Sequence, residues 1–159
     1  MKTYKVLLVS MVIFALLIGG VFTLQTQAQT IEATARCTPF FISLEDPPAE
    51  EFRITLTLPK PYKHEDIDPS TILVGGVVTM KDVPDWPKIK KNFFAFKIDG
   101  SSLMYYIVLP EIWHMAPPPG AKVDIDVTVT GQLYDATPFE GTFTLTVMTE
   151  HASPPPPPL

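Results

Sequence analysis

Beyond an uncharged run near the N-terminus, apolar residues recur along the chain with a period of two. Ile31, Ala33, Ala35 and Cys37 alternate with Glu32, Thr34 and Arg36, and Phe52, Ile54, Leu56 and Leu58 alternate with Arg53, Thr55 and Thr57 before Pro59 and Pro61. Val123, Ile125, Val127 and Val129 alternate with Asp124, Asp126, Thr128 and Thr130, and Phe143, Leu145 and Val147 with Thr142, Thr144 and Thr146. Successive side chains of a strand point to opposite faces, so this alternation predicts half-buried strands. Thr71–Met80 is apolar around Gly75-Gly76, which predicts a strand with a bulge or bend in its middle. Asn92–Ile98 predicts a short aromatic strand holding Phe93, Phe94 and Phe96. Gly131–Gly141, with Tyr134-Asp135-Ala136-Thr137-Pro138 inside it, predicts the hairpin loop between the last two strands. About six short strands with threonine-rich outer faces predict an all-β fold, an antiparallel β-sandwich.

One segment departs from this period. Ser101–Leu109 follows Asp99-Gly100, and either Asp99 or Ser101 can cap a helix there. Although Tyr105–Leu109 also reads as a strand, the expectation is one short helix that lies across an end of the sandwich and stops before Pro110.

The two ends differ from the body. Lys2 and Lys5 precede Val6–Leu24, which carries no charge, and Gln25–Gln29 is polar. A basic start, an apolar run and a small-residue exit predict a secretory signal cut between Ala28 and Gln29. An uncleaved anchor is the alternative, because about 20 apolar residues suffice to cross a bilayer. In both cases the lysines favour a domain outside the membrane, secreted or on its extracellular face, touching the membrane only through the N-terminal segment if that is retained. A lipoprotein reading fails because Cys37 lies well past the apolar run, and a pilin-like leader fails because Met1–Lys5 contains no glycine. The domain is then expected over 29–150. Residues 151–159 form a proline-rich tail in which Pro154–Pro158 favours solvated polyproline II over packed structure.

Composition narrows the function classes. The 159 residues are 46% hydrophobic and 18% charged, enough for one domain with a packed core. All 18 prolines follow residue 38, which argues against a helical bundle. With 12 Lys+Arg against 17 Asp+Glu the net charge is -5, so nucleic acid is not an expected partner. A single cysteine excludes an intrachain disulfide and a cysteine-based zinc cage. On its strand, Cys37 reads as a small buried hydrophobe.

No catalytic residue stands out. His64, His114 and His151 fall in expected loops or the tail, and there is no Gly-x-Ser-x-Gly elbow. His64-Glu65-Asp66-Ile67-Asp68 concentrates oxygen and nitrogen ligands, so Glu65, Asp66 and Asp68 are the candidates for a surface Ca²⁺ or Zn²⁺ site. Asp68 before Pro69 is also an ordinary turn residue, and no metal or cofactor is expected. Trp86, between Asp85 and Pro87, and Trp113, before Pro117-Pro118-Pro119, are placed in loops. There they can stack on sugar rings, although closing the ends of the core is the favoured role.

The order Ile54-Thr55-Leu56-Thr57-Leu58-Pro59, Asp66-Ile67-Asp68-Pro69-Ser70-Thr71-Ile72-Leu73, Phe96-Lys97-Ile98-Asp99, Val127-Thr128-Val129-Thr130-Gly131-Gln132-Leu133-Tyr134-Asp135 and Thr137-Pro138-Phe139-Glu140-Gly141 resembles an immunoglobulin-like β-sandwich module recurrent in secreted bacterial and archaeal proteins. The resemblance runs from about residue 31 to 148, and its specific blocks are Val-Thr-Gly and Phe-Glu-Gly. It implies the fold and an extracellular accessory role, without a reaction. Relatives carry an aspartate-rich loop suited to calcium. Here only Asp82 and Asp85 stand there, among Lys81, Pro84, Pro87 and Lys88, so calcium does not carry over. Ala136 replaces the usual hairpin glycine, and Trp113–Gly120 has the look of an insertion. The expected function is a non-catalytic structural or interaction module, partnered by another surface protein or a glycan. The alternatives are a carbohydrate-binding domain using the loop tryptophans and a filament subunit assembling by strand exchange.

Overall fold

Each run of period-two alternation becomes a strand with one buried edge of side chains. In the computed structural model, which describes residues 29–46 and 49–149, β1 (Ile31–Thr38) buries Ile31, Ala33, Ala35 and Cys37 and exposes the residues between them. β3 (Glu51–Thr57), β8 (Lys122–Leu133) and β9 (Pro138–Met148) follow the same rule. β4 (Ile67–Val74) and β7 (Phe93–Asp99) are more deeply enclosed, and Ala95 is buried on the outward side of β7. Three short strands complete the set: β2 (Phe41–Ser43), β5 (Val78–Thr79) and β6 (Lys88–Lys90). The fold is mostly β, and the inward faces meet in one apolar cluster that includes Phe52, Phe94, Phe96 and Phe139. The expected leader through Ala28 and the tail from His151, with Pro154–Pro158, lie outside the described residues.

The strands form one nine-stranded sheet in the order β5-β4-β8-β9-β1-β3-β7-β6, with β2 also on β9. The sheet is mixed, which corrects the antiparallel expectation. β1 runs parallel to β9 from Ile31↔Phe139 to Thr34↔Thr142, and β2 runs parallel to it from Phe41↔Thr146 to Ser43↔Met148. From Thr34 onward β1 pairs instead with β3, antiparallel. Hairpin logic sees only neighbours in sequence, and those pairs are antiparallel, whereas this contact joins the first strand to the last. Gly141 permits it, because a Cβ there would lie 2.8 Å from the carbonyl oxygen of Ala33.

Two turns also differ from expectation. Gly75-Gly76 is a tight turn between β4 and β5, with φ of 59° and 74°, rather than a bulge within one strand. The irregularity falls earlier, between Asp68 and Leu73, where the β4–β8 register shifts and Pro69 has no N–H to give the ladder. The β8–β9 hairpin is tighter than expected. Pairing continues through Gly131↔Phe139 and Gln132↔Pro138, and only residues 134–137 turn.

The helix runs past its expected end. Asp99 caps it by accepting from the Ser102 N–H at 2.8 Å, and α1 (Gly100–Leu103) leads into a π turn (Met104–Val108) and α2 (Leu109–Met115). Pro110 removes a donor and would crowd the carbonyl four residues back. The wider π turn, whose Leu109 N–H bonds the Met104 carbonyl, relieves both and leaves Pro110 in the first turn of α2. The segment docks on the sheet through Leu103, Met104, Ile107, Val108 and Ile112. A Cβ on Gly75 would come within 2.5 Å of Ile107, so the β4–β5 turn packs closely against it. Among the described residues no helix is long and apolar enough to cross a membrane.

Candidate functional site

The two tryptophans occupy different settings. Trp86 lies on the connection between β5 and β6, half-buried, in a turn closed by its N–H on the Val83 carbonyl at 3.1 Å. Pro84 fixes the first central position of that turn, and Asp85, at φ 63°, takes the left-handed second position. The indole is surrounded by cations. Arg53 of β3 lies 5.7 Å from its centroid, Lys88 of β6 5.1 Å and Lys97 of β7 5.2 Å. Arg53 and Lys97 are register partners, and Lys88 stands opposite Ala95, so three adjacent strands supply the cluster.

Glu51 anchors its rim. It pairs with Lys81 at 3.0 Å and with Lys97 at 2.5 Å, and Lys81 is tied to β7 by its N–H on the Lys97 carbonyl at 2.8 Å. The hydrogen bond from Lys97, then that from Lys81, holds the Glu51 carboxyl below its ordinary value, and the same contact raises Lys81. Beside Trp86 a groove of about 310 Å³ runs past Ser70, Thr79, Lys81 and Pro87.

Trp113 is on α2 rather than in a loop, and 75% of it is exposed, so it does not close the core. Tyr105 and Tyr106, in the π turn, are 69% and 67% exposed. The buried positions Ile107, Val108 and Ile112 turn one side of the segment to the sheet and leave these three aromatics outward. Tyr106 borders two shallow grooves, of about 260 Å³ toward Val77 and about 290 Å³ toward Asp126. The short helix expected over Ser101–Leu109 identified the start of the element. The exposed face was not visible, because it depends on which side the sheet takes.

The acidic candidates are dispersed. Glu65 and Asp66 are exposed in a short 3-10 turn (His64–Asp66), while Asp68 is the second residue of β4 and accepts from the N–H and hydroxyl of Ser70 at 3.0 and 2.7 Å. His64 points inward, and its Nε2 accepts the Leu58 N–H at 3.0 Å. Among the described residues no group of three or more His, Cys, Asp or Glu is placed to hold a metal ion. His114 is on α2 and exposed, not in a loop, and His151 lies outside the described residues. Cys37 is buried, and burial pushes its thiol up to about 12. Asp82 and Asp85 are both exposed on the proline-bounded loop that carries Trp86. Gln29, the residue after the expected cut, is exposed two residues before β1.

The basic cluster around Trp86 escaped notice in the sequence because Arg53, Lys88 and Lys97 are far apart along the chain. The one available signal was that Arg53 and Lys97 occupy outward positions of predicted strands. No protein family, curated protein or solved structure matches the chain.

Proposed function

We propose that the chain is a non-catalytic, secreted or cell-surface interaction module built on an immunoglobulin-like β-sandwich. The strand order supports the sandwich reading. The run β1-β3-β7-β6 corresponds to strands A-B-E-D of that architecture and β9-β8-β4-β5 to G-F-C-C′, with the first strand parallel to the last. The uncharged Val6–Leu24 run behind Lys2 and Lys5 supports export.

The observation that carries the function is the outward presentation of Tyr105, Tyr106 and Trp113 on a helical segment inserted between β7 and β8. Large aromatics bring much contact area at small entropic cost, and they dominate the centres of protein interfaces. Two of the groups with reactive potential are otherwise engaged: His64 accepts a main-chain N–H, and burial holds the Cys37 thiol protonated. The partner in this reading is another surface protein. Trp113, the most exposed of the large hydrophobics among the described residues, also supports a second reading, stacking on a neutral glycan.

Binding of the exported chain to intact cells of its source, before and after protease shaving or enzymatic deglycosylation, tests both readings. Saturable binding lost on shaving and in Tyr106→Ala and Trp113→Ala supports a protein partner, and loss on deglycosylation supports the glycan. Binding that is absent, or identical in both variants, overturns the ridge as the binding surface.

A further inference from the structure

We propose that the outer face of β3, β6 and β7 around Trp86 is a second binding surface, for a carboxylate-bearing polysaccharide. It is independent of the aromatic ridge. Arg53, Lys88 and Lys97 all crowd one indole, within 5.7 Å of its centroid. The ring attracts each cation, but the cations repel one another at this spacing. Glu51 is the one carboxylate paired with the group, and it is shared between Lys81 and Lys97. Glu50 and Asp99 also face Lys81 electrostatically, and the Asp99 carboxylate is committed to the helix cap. The result is three cations gathered at one ring, with Asp82 and Asp85 exposed on the adjoining loop, on a chain whose net charge is -5.

Protection of a sheet edge accounts for Lys88 and Lys90, since β6 is an edge strand. It does not account for Arg53 and Lys97, which sit on β3 and β7 inside the sheet. Their positions are preorganised, because they face each other in register across two paired strands and Lys97 is held by Glu51.

The groove beside the cluster decides the ligand class. Its volume of about 310 Å³ is at the small end of ligand pockets. It sets an indole and Pro87 next to the hydroxyls of Ser70 and Thr79, the ammonium of Lys81 and the carboxylate of Asp82, while Arg53, Lys88 and Lys97 reach the same indole from outside the groove lining. Apolar ring faces, hydroxyls and a carboxylate are what an acidic sugar offers in return. An acidic peptide added as a strand would find only the three residues of β6 to pair with.

The chain contains two tryptophans, so Trp113→Phe leaves Trp86 as the sole indole reporter. Titrating the Trp113→Phe chain with tetragalacturonate is expected to change its emission saturably, whereas uncharged cellotetraose leaves it unchanged. Arg53→Gln with Lys88→Gln weakens binding by about tenfold or more, and Arg53→Lys retains most of it. Should the double variant melt early, salt dependence replaces it. Affinity of the Trp113→Phe chain then falls severalfold between about 0.05 M and about 0.3 M salt. The proposal is overturned by an unresponsive Trp86, by salt-independent binding, or by an equal response to tetraglutamate, which would make the surface a general anion patch. Cell binding through Trp113 is read separately and does not move with these outcomes.

Discussion

The Nε2 of His64 accepts the main-chain N–H of Leu58 at 3.0 Å, in the interior. Leu58 has just left β3, and the connection through Pro59 and Pro61 gives it no sheet partner for that N–H. The imidazole supplies one across the loop and fixes its own tautomer, with the proton on Nδ1, a buried atom that finds no partner among the described residues. His64→Ala leaves the Leu58 donor buried and unsatisfied but also removes the unpartnered Nδ1–H, so a loss of about 1–2 kcal/mol is expected in urea unfolding. His114→Ala, on the exposed end of α2, should stay within about 0.5 kcal/mol. Equal effects at the two positions would refute the structural role given to His64.

Gly131 and Phe139 form a second pair of this kind. They are register partners on β8 and β9, and a Cβ on Gly131 would stand 2.5 Å from the Phe139 ring. Ile72 closes the other side at 3.3 Å. Gly131→Ala therefore overpacks the core, with an expected cost of about 1–3 kcal/mol. Phe139→Leu removes the colliding ring edge, so the double variant should be more stable than the sum of the single losses predicts. Strict additivity in a double-mutant cycle would show that the ring is not what excludes the side chain.

Much of this architecture was readable from alternation alone. The β1, β3, β8 and β9 runs were recognisable because one face of each meets the core and the other meets water, which writes a period of two into the sequence. β2 and β6 were missed because three residues are too few to show a period, and β5 was read as the continuation of β4 beyond the Gly75-Gly76 bend. Pro138 and Gly131 pointed to a loop by local preference, but the long β8–β9 ladder overrides that preference. The parallel β1–β9 contact has no local signature at all. The candidate sites were less legible. Trp86 and Trp113 were found as residue types, but the cations around Trp86 come from three strands, and the exposure of Trp113 follows from a helix that Pro110 was expected to end.

Asp99 supplies a pH-dependent element. Its carboxylate accepts the Ser102 N–H at 2.8 Å and the Ser102 hydroxyl at 2.9 Å, and these bonds hold it below its ordinary value of 3.8. A depressed carboxyl stabilises the fold fully above its unfolded pKa and loses that contribution as the pH falls through the folded one. At neutral pH Asp99→Ala should cost about 1 kcal/mol through the lost cap. The gap between the native chain and Asp99→Ala should then shrink below about pH 4. A gap that stays constant from pH 7 to strongly acidic solution would mean that the cap does not depend on the charge.

Cys37 gives the sharpest test of the β1 register. It is the fourth inward residue of that strand, and where β1 leaves β9 a gap of about 440 Å³ opens beside it, lined also by Arg36, Phe40 and Phe143. A reagent small enough to enter the gap is therefore not excluded by shape alone, and reactivity turns on the thiolate. Burial pushes the thiol up to about 12, against a smaller lowering from the Thr38 main chain, and its hydrogen points to the Pro39 carbonyl at 3.4 Å. An exposed thiol has a pKa near 8.5, so at pH 8 the native thiolate fraction is lower by about a thousandfold. Iodoacetamide should accordingly label the native chain at least about a hundredfold more slowly than the urea-unfolded chain. On a non-reducing gel the protein should run without a disulfide-linked dimer even after prolonged exposure to air. Rapid native labelling would show that the thiol ionises despite its burial, and a dimer abolished by Cys37→Ala would place it outward, as it would be were β1 shifted by one residue. That shift would expose Ile31, Ala33 and Ala35 together, because a single-residue slip turns every side chain of a strand to the other face.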